Sequence, residues 1–193
     1  MLNMQLLSVA ELNAGMDHIR QSPKNNGVLK MIVRRPGIDE REVVDEGELN
    51  TVEGLAGDTW KARESGHTSD GAVNTDNQIT IMNARTIALL AQDEEHWSLA
   101  GDQLYIDMDL STDNLPPGTR LALGSAVIEV SAAPHTGCKK FSSRFGVEAM
   151  KFVNSPEGKQ LHLRGINAKV IQAGAIRVGD VVEKMKSFNY ITG

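Results

Sequence analysis

The stretch LYIDMDL, residues 104–110, sets the period on which the fold is read. Leu104, Ile106, Met108 and Leu110 fall on one face of an extended chain, and Tyr105, Asp107 and Asp109 on the other. Side chains of a strand alternate between faces, so this spacing predicts a half-buried strand. AVIEVSA, residues 126–132, repeats the pattern, with Ala126, Ile128 and Val130 opposite Val127, Glu129 and Ser131. VLKMIVR, QITIM, AKVIQA and DVVEKM are further strand candidates. Gly- and Pro-rich turns separate these segments: RPG at 35–37, GLAGD at 54–58, LPPG at 115–118, ALGS at 122–125 and RVGD at 177–180. Short strands punctuated in this way predict a barrel or sandwich.

Two helices are expected to interrupt the strands. Asn83 is placed to cap a helix over ARTIALLAQDEEHW, where Ile87, Leu90 and Ala91 share a face. After the single cysteine, Phe141, Phe145, Ala149 and Phe152 recur at helical spacing, a stripe that anchors a helix to the barrel. In SPEGKQL, Ser155 reads as a cap and Pro156 as a first-turn residue; the glycine spacing of a phosphate-binding loop is missing. LAGD occurs at 55–58 and at 99–102, but the residues that follow do not align, so shared turn chemistry is read and not an internal repeat. GHTSDGAVNTDN, residues 66–77, reads as a loop, and residues 187–193 as either a loose tail or a segment that packs on a partner subunit.

The chain has 193 residues, enough for one domain spanning 1–193. Hydrophobic residues make up 40% and charged residues 23%, and the net charge of −5 argues against a nucleic-acid binder, which needs a concentrated basic surface. No apolar run approaches the roughly 20 residues that cross a bilayer, and the opening residues lack a secretory signal pattern. One cysteine makes no internal disulfide, in keeping with a reducing, cytoplasmic setting.

That cysteine, Cys138, stands in PHTGCKK, residues 134–140. Lys139 and Lys140 would stabilise its thiolate, and so would an adjoining helix N-terminus. His135 lies three residues before it, but the other histidines are scattered, so a four-ligand zinc site is not expected. His135 or His162 is a candidate base for a Cys–His dyad, and no sequence feature selects between them or names an orienting group. Arg164, in LRGIN before the strand AKVIQA, has the fork that grips a phosphate or carboxylate if it points into a cleft. No haem, flavin or iron–sulfur motif is visible.

Taken in order, GLAGD, QITIMNARTIALLA, GDQLYIDMDL, LPPGTRLALGSAVIEVSAAPHTGCKKF and LRGINAKVIQAGAIRVGDVVE resemble the MOSC family, the domain named for the C-terminal part of molybdenum-cofactor sulfurases. The similarity covers roughly residues 50–183. The resemblance implies a mostly β fold, a distorted closed or partly open barrel with a few flanking helices. It also implies that Cys138 ligates the molybdenum of a pterin cofactor or carries sulfur, with Thr136 close to that cofactor. Gln103 matches a position that is commonly asparagine in relatives; Arg164 falls in the family's RG element. Lys139, Lys140, Arg144 and Arg164 are the basic candidates for a pterin phosphate. Three readings follow: a molybdenum-dependent reductase of N-hydroxylated or N-oxide compounds served by an external redox protein, a persulfide carrier working with a sulfur-donor protein, and a non-catalytic module that binds a small anion or a partner.

Overall fold

The computed structural model describes residues 5–62 and 71–186, and within them the expected strands close on one another. The strands of the main sheet are β1 (Gly27–Arg34), β2 (Glu42–Val44), β5 (Ile79–Asn83), β6 (Leu104–Asp107), β7 (Arg120–Leu123), β8 (Ala126–Val130), β9 (Ile166–Gln172) and β11 (Val181–Lys184). Their order is β11-β7-β8-β9-β5-β6-β1-β2, and a further pairing of β11 with β1 closes seven of them into a barrel. Closure removes the free edges that an open sheet would expose. The first residues of β1 pair with β11 and its last three with β2, so β2 is a lateral addition to the ring.

All pairings in the ring are antiparallel except that of β5 with β6. Parallel neighbours need a crossover, supplied here by α3 (Ala84–Ala91) and a 3-10 segment, Glu94–Ala100. Asn83 caps α3 as expected, its Oδ1 accepting from Thr86 N at 2.9 Å. The helix expected to run on to Trp97 instead stops at Ala91, where Gln92 turns to φ +64°. Asp93, Glu94 and Glu95 would sit badly at a helix C-terminus; ending α3 early places them at the N-terminus of the next segment, where the dipole favours negative charge.

A small second sheet, β3 (Glu46–Asn50), β4 (Gly54–Leu55) and β10 (Gly174–Arg177), sends Leu49, Leu55 and Ile176 into the barrel core. Leu104, Ile106, Met108 and Leu110 lie in that core, as their alternation requires, and so do Ala126, Ile128 and Val130. The opposite face of β6 departs from the expectation of a half-buried strand. Tyr105 is fully buried in a second core, between the outer barrel face and a helical layer.

That layer comprises α1 (Val9–Ala14), α2 (Met16–Arg20), α3 and α4 (Lys139–Asn154), with the short α5 (Pro156–Gln160) following. Phe141, Phe145, Ala149 and Phe152 of α4 are all buried in it. Gly146 interrupts α4 at φ +89°, ψ 164°, with the Leu6 side chain packed against it. Ser155 caps α5 and Pro156 opens it, as the sequence indicates. Among the described residues no helix is long and apolar enough to cross a membrane.

Ile81 is fully buried on β5, the strand held between β6 and β9. Ile81→Ala should cost about 2–5 kcal/mol, read as a lower urea midpoint at an unchanged m-value.

Candidate functional site

Between β8 and α4 the chain runs through Ser131–Cys138 without regular structure, and three side chains from elsewhere tie it down. Asn167 of β9 donates from Nδ2 to Ala133 O (3.1 Å) and Pro134 O (3.3 Å). His135 is held through Nε2 by Asp102 at 2.6 Å. Asn154, the last residue of α4, clamps Gly137 in both directions: its Oδ1 accepts from Gly137 N (3.0 Å) and its Nδ2 donates to Gly137 O (3.3 Å). Gly137 admits this clamp because a Cβ there would lie 3.1 Å from Asn154 Nδ2. Ser131, at the root of the loop, donates to Asp76 O at 2.6 Å. The second half of the 66–77 segment is thereby anchored to it, while residues 66–70 and 187–193 lie outside the described residues.

Cys138 ends this loop as a free, exposed thiol at the N-cap of α4, where its side chain makes no capping bond. Ser, Thr, Asp or Asn would add about 1 kcal/mol at such a position, so helix stability does not explain the cysteine. Lys139 and Lys140 are exposed beside it, and Lys140 pairs with Asp39 at 3.3 Å.

A cavity of about 400 Å³ opens along the same loop. Pro134, His135 and Thr136 line it, so the cysteine lies two residues past the last loop residue of the wall. Lys159, His162 and Arg164 also line it, and Val130, Val153 and Ile166 make much of the remainder apolar. The volume and the mix of apolar wall with a few polar groups are those of a small-molecule site.

Beneath His135 lies a buried ionic cluster. Asp102 is fully buried; one oxygen takes His135 and the other accepts from Arg164 Nη1 at 2.6 Å. Arg164 also donates from Nη2 to Ala100 O (3.1 Å), and its guanidinium carbon stands 5.0 Å from the Phe141 ring centroid, a cation–π distance. Burial pushes the Asp102 carboxyl up, but Arg164 and His135 outweigh it and hold the carboxyl below its ordinary value. Burial, then the Arg164 charge, push His135 down, against the pull of Asp102.

Of the residues singled out from sequence, the structure brings Thr136, His135, His162 and Arg164 to one cavity, while Cys138, Lys139 and Lys140 are exposed and not part of its lining. Arg164 is no free grip for an anion, because Asp102 already neutralises it. Gln103 does not line the cavity. It is fully buried, with Oε1 accepting from Thr80 N (2.8 Å) and Thr80 Oγ1 (3.0 Å) and Nε2 donating to Gln78 O (3.3 Å), a stitch between strands. Arg144 spends one nitrogen on Leu99 O (2.7 Å) and another on Asp39 (3.1 Å). Asn83 is a cap whose amide also bonds Ser22 and Met108 O. Sequence reasoning missed Asp102, Asn154 and Asn167. The repeated LAGD was the available signal for the first: the Asp58 and Asp102 carboxylates are both fully buried partners of an arginine. Among the described residues no group of three or more His, Cys, Asp or Glu is placed to hold a metal ion.

The model of the MOSC domain matches residues 66–183. No curated protein matches the chain. Among solved structures, the YuaD protein from Bacillus subtilis is similar at 16% identity and a TM-score of 0.60, over 82% of this chain and 95% of that one. YiiM from Escherichia coli is similar at 20% identity and a TM-score of 0.53, over 82% and 70% respectively. YiiM from Geobacillus stearothermophilus shows 14% identity and a TM-score of 0.52, over 83% and 74%. These likenesses establish a shared fold.

His135 and Asp102 both sit below their ordinary values, so on acidification the unfolded chain binds the more protons and stability falls. The His135 contribution is complete above about pH 6.5 and the Asp102 contribution above about pH 4; each is lost as pH drops toward the depressed folded value. Urea midpoints measured from about pH 8 to pH 3 should decline through both windows, and H135Q should lack the upper one.

Proposed function

We propose, from the premise that the chain belongs to the MOSC domain family, that it binds a molybdenum–pterin cofactor with Cys138 as the protein ligand and reduces small N-hydroxylated or N-oxide compounds. The observation that carries this reading is the placement of the thiol: exposed, on a loop clamped at three points, next to a cavity of small-molecule size. The residues fit such a group in kind. A thiolate is a soft donor suited to this metal, and a lone protein ligand requires that the other donors come with the cofactor. Lys139 and Lys140 adjoin the cysteine, and Lys159 in the cavity wall offers a further positive charge toward a phosphate. When bound, the cofactor supplies the two-electron redox chemistry, and an external protein must supply the electrons.

The chain's own part is to bind, orient and exclude water. Asn154 and Asn167 fix the loop so that Cys138 is presented in one geometry. Val130, Val153 and Ile166 give the cavity walls that shed water around an apolar substrate, and Thr136 brings a hydroxyl to the wall nearest the cysteine. The exposure of the sulfur favours a second reading, in which Cys138 accepts a sulfur atom from a donor protein and passes it on as a persulfide.

Protein purified without oxygen from cofactor-replete cells should carry near-stoichiometric molybdenum by elemental analysis, and C138A should fall to background. Wild-type protein at background would overturn the cofactor reading. The carrier reading expects a mass gain of one sulfur atom after incubation with a cysteine desulfurase and cysteine, absent from C138A; an unchanged wild-type mass removes it.

A further inference from the structure

We infer that His135 is the acid–base group of the cavity, with Asp102 holding Nε2 and an unprotonated Nδ1 offered to the hydroxyl of a hydroxylated nitrogen on a small, largely apolar ligand. The inference rests on the reading that the cavity receives the substrate. It begins from the ring's two nitrogens. Asp102 Oδ1 lies 2.6 Å from Nε2, and Arg164 Nη1 lies 2.8 Å from the same atom. A guanidinium nitrogen only donates and a carboxylate only accepts. Asp102 is ionised, because Arg164 donates to its other oxygen at 2.6 Å in a fully buried setting. The Nε2 proton therefore goes to Asp102, and Arg164 and His135 are two donors turned toward one carboxylate.

The rest of the ring follows. Its Cδ2 edge abuts Gly165, where a Cβ would stand 3.0 Å from that carbon and 2.2 Å from Ile81 O. Gly165, at φ +113°, is thus required for the ring to approach β9's entrance this closely. Nδ1 occupies the other edge, and it has no hydrogen-bond partner among the described residues although the side chain is 16% exposed and lines the cavity. His162, which also lines the cavity, is fixed the opposite way: its Nδ1 donates to Leu110 O at 2.7 Å and its Nε2 lies 3.4 Å from Thr112 Oγ1. It also holds a left-handed backbone at φ +49°.

A histidine oriented by a buried carboxylate is the arrangement that fixes a tautomer and stabilises the imidazolium when it forms. The charged groups around His135 are Asp102, Arg164 and Arg35, with Lys159 on the cavity wall. In the reduction, the N–O bond breaks with two electrons from the external donor; one proton turns the departing hydroxyl into water and a second goes to the nitrogen. The first passes through His135: Nδ1 takes a proton from solvent, and the imidazolium hands it to the departing hydroxyl.

Metal-free wild-type protein tests the geometry. Long-range proton–nitrogen NMR of the imidazoles should show His135 protonated on Nε2 and bare on Nδ1. Diethyl pyrocarbonate, which acylates unprotonated imidazole nitrogen, should label His135 at neutral pH, with the exposed His18 as reference. A proton on Nδ1, or an unlabelled His135 beside a fully labelled His18, would overturn the inference. In molybdenum-loaded protein, H135Q should keep its metal while turnover of N-phenylhydroxylamine to aniline falls about 100-fold; unchanged turnover would also overturn it. If wild-type protein carries no molybdenum, the cofactor reading fails, while the NMR and labelling results still decide the role of His135.

Discussion

The turn Leu99–Asp102 is the junction on which the site depends. Its backbone carbonyls at 99, 100 and 101 accept from three different arginines: Arg144 of α4, Arg164 before β9, and Arg35 after β1. Its aspartate then takes the Arg164 guanidinium and the His135 ring together. Burying a carboxylate and a guanidinium costs several kcal/mol for each ion, and their attraction offsets that only when the remaining hydrogen-bond capacity is filled. Here both carboxylate oxygens are used and Phe141 covers the guanidinium, but Arg164 Nε is buried without a hydrogen-bond partner among the described residues. The cluster therefore adds little net stability. What it does fix is position, since barrel, α4 and cysteine loop converge on one acceptor group.

The first GD turn works in the same way. The Asp58 carboxylate is fully buried and receives Arg35 through Nε (2.7 Å) and Nη2 (2.9 Å), while Arg35 Nη1 reaches across to Gly101 O. One arginine thus joins the two LAGD turns. Gly57 and Gly101 hold φ of +82° and +90°, a conformation that costs glycine little and other residues more. The repeated tetrapeptide is a repeated solution to burying a carboxylate in a tight turn, with no duplicated domain around it.

The period-two pattern and its Gly/Pro punctuation made the barrel legible, because a one-face core imposes alternation along each strand. The caps at Asn83 and Ser155 and the Phe stripe of α4 were legible for similarly local reasons. Tyr105 was not. Alternation assigns it to the face away from the barrel core, and only the tertiary arrangement of the helices determines that this face is also buried. The partners of Gln103 and Arg164 were hidden for a related reason: a polar side chain looks the same in sequence whether it meets solvent, a ligand or a buried partner. Gln103 meets Thr80 and Gln78, and Arg164 meets Asp102, 62 residues away. Pairings at that separation leave no local trace, and the same holds for Asn154 and Asn167 on the loop.

The loop itself is where local stability gives way. Ordering an irregular segment costs about 1–2 kcal/mol per residue in backbone entropy, and this one's single backbone bond to a neighbouring strand among the described residues is at its root, from Ser131 N to Asn167 O at 2.9 Å. Three distant side chains supply the bonds that a strand or helix would have made internally, and Gly137 is kept free of a Cβ so that one of them can approach. At its end stands a residue that forgoes the capping bond open to serine or aspartate. A chain that holds a loop this tightly and then omits the stabilising cap has arranged for the sulfur to be both fixed and free. On the proposed reading this matters for binding: a loop ordered during folding has already met its conformational cost, and a group it carries meets a ligand without that cost.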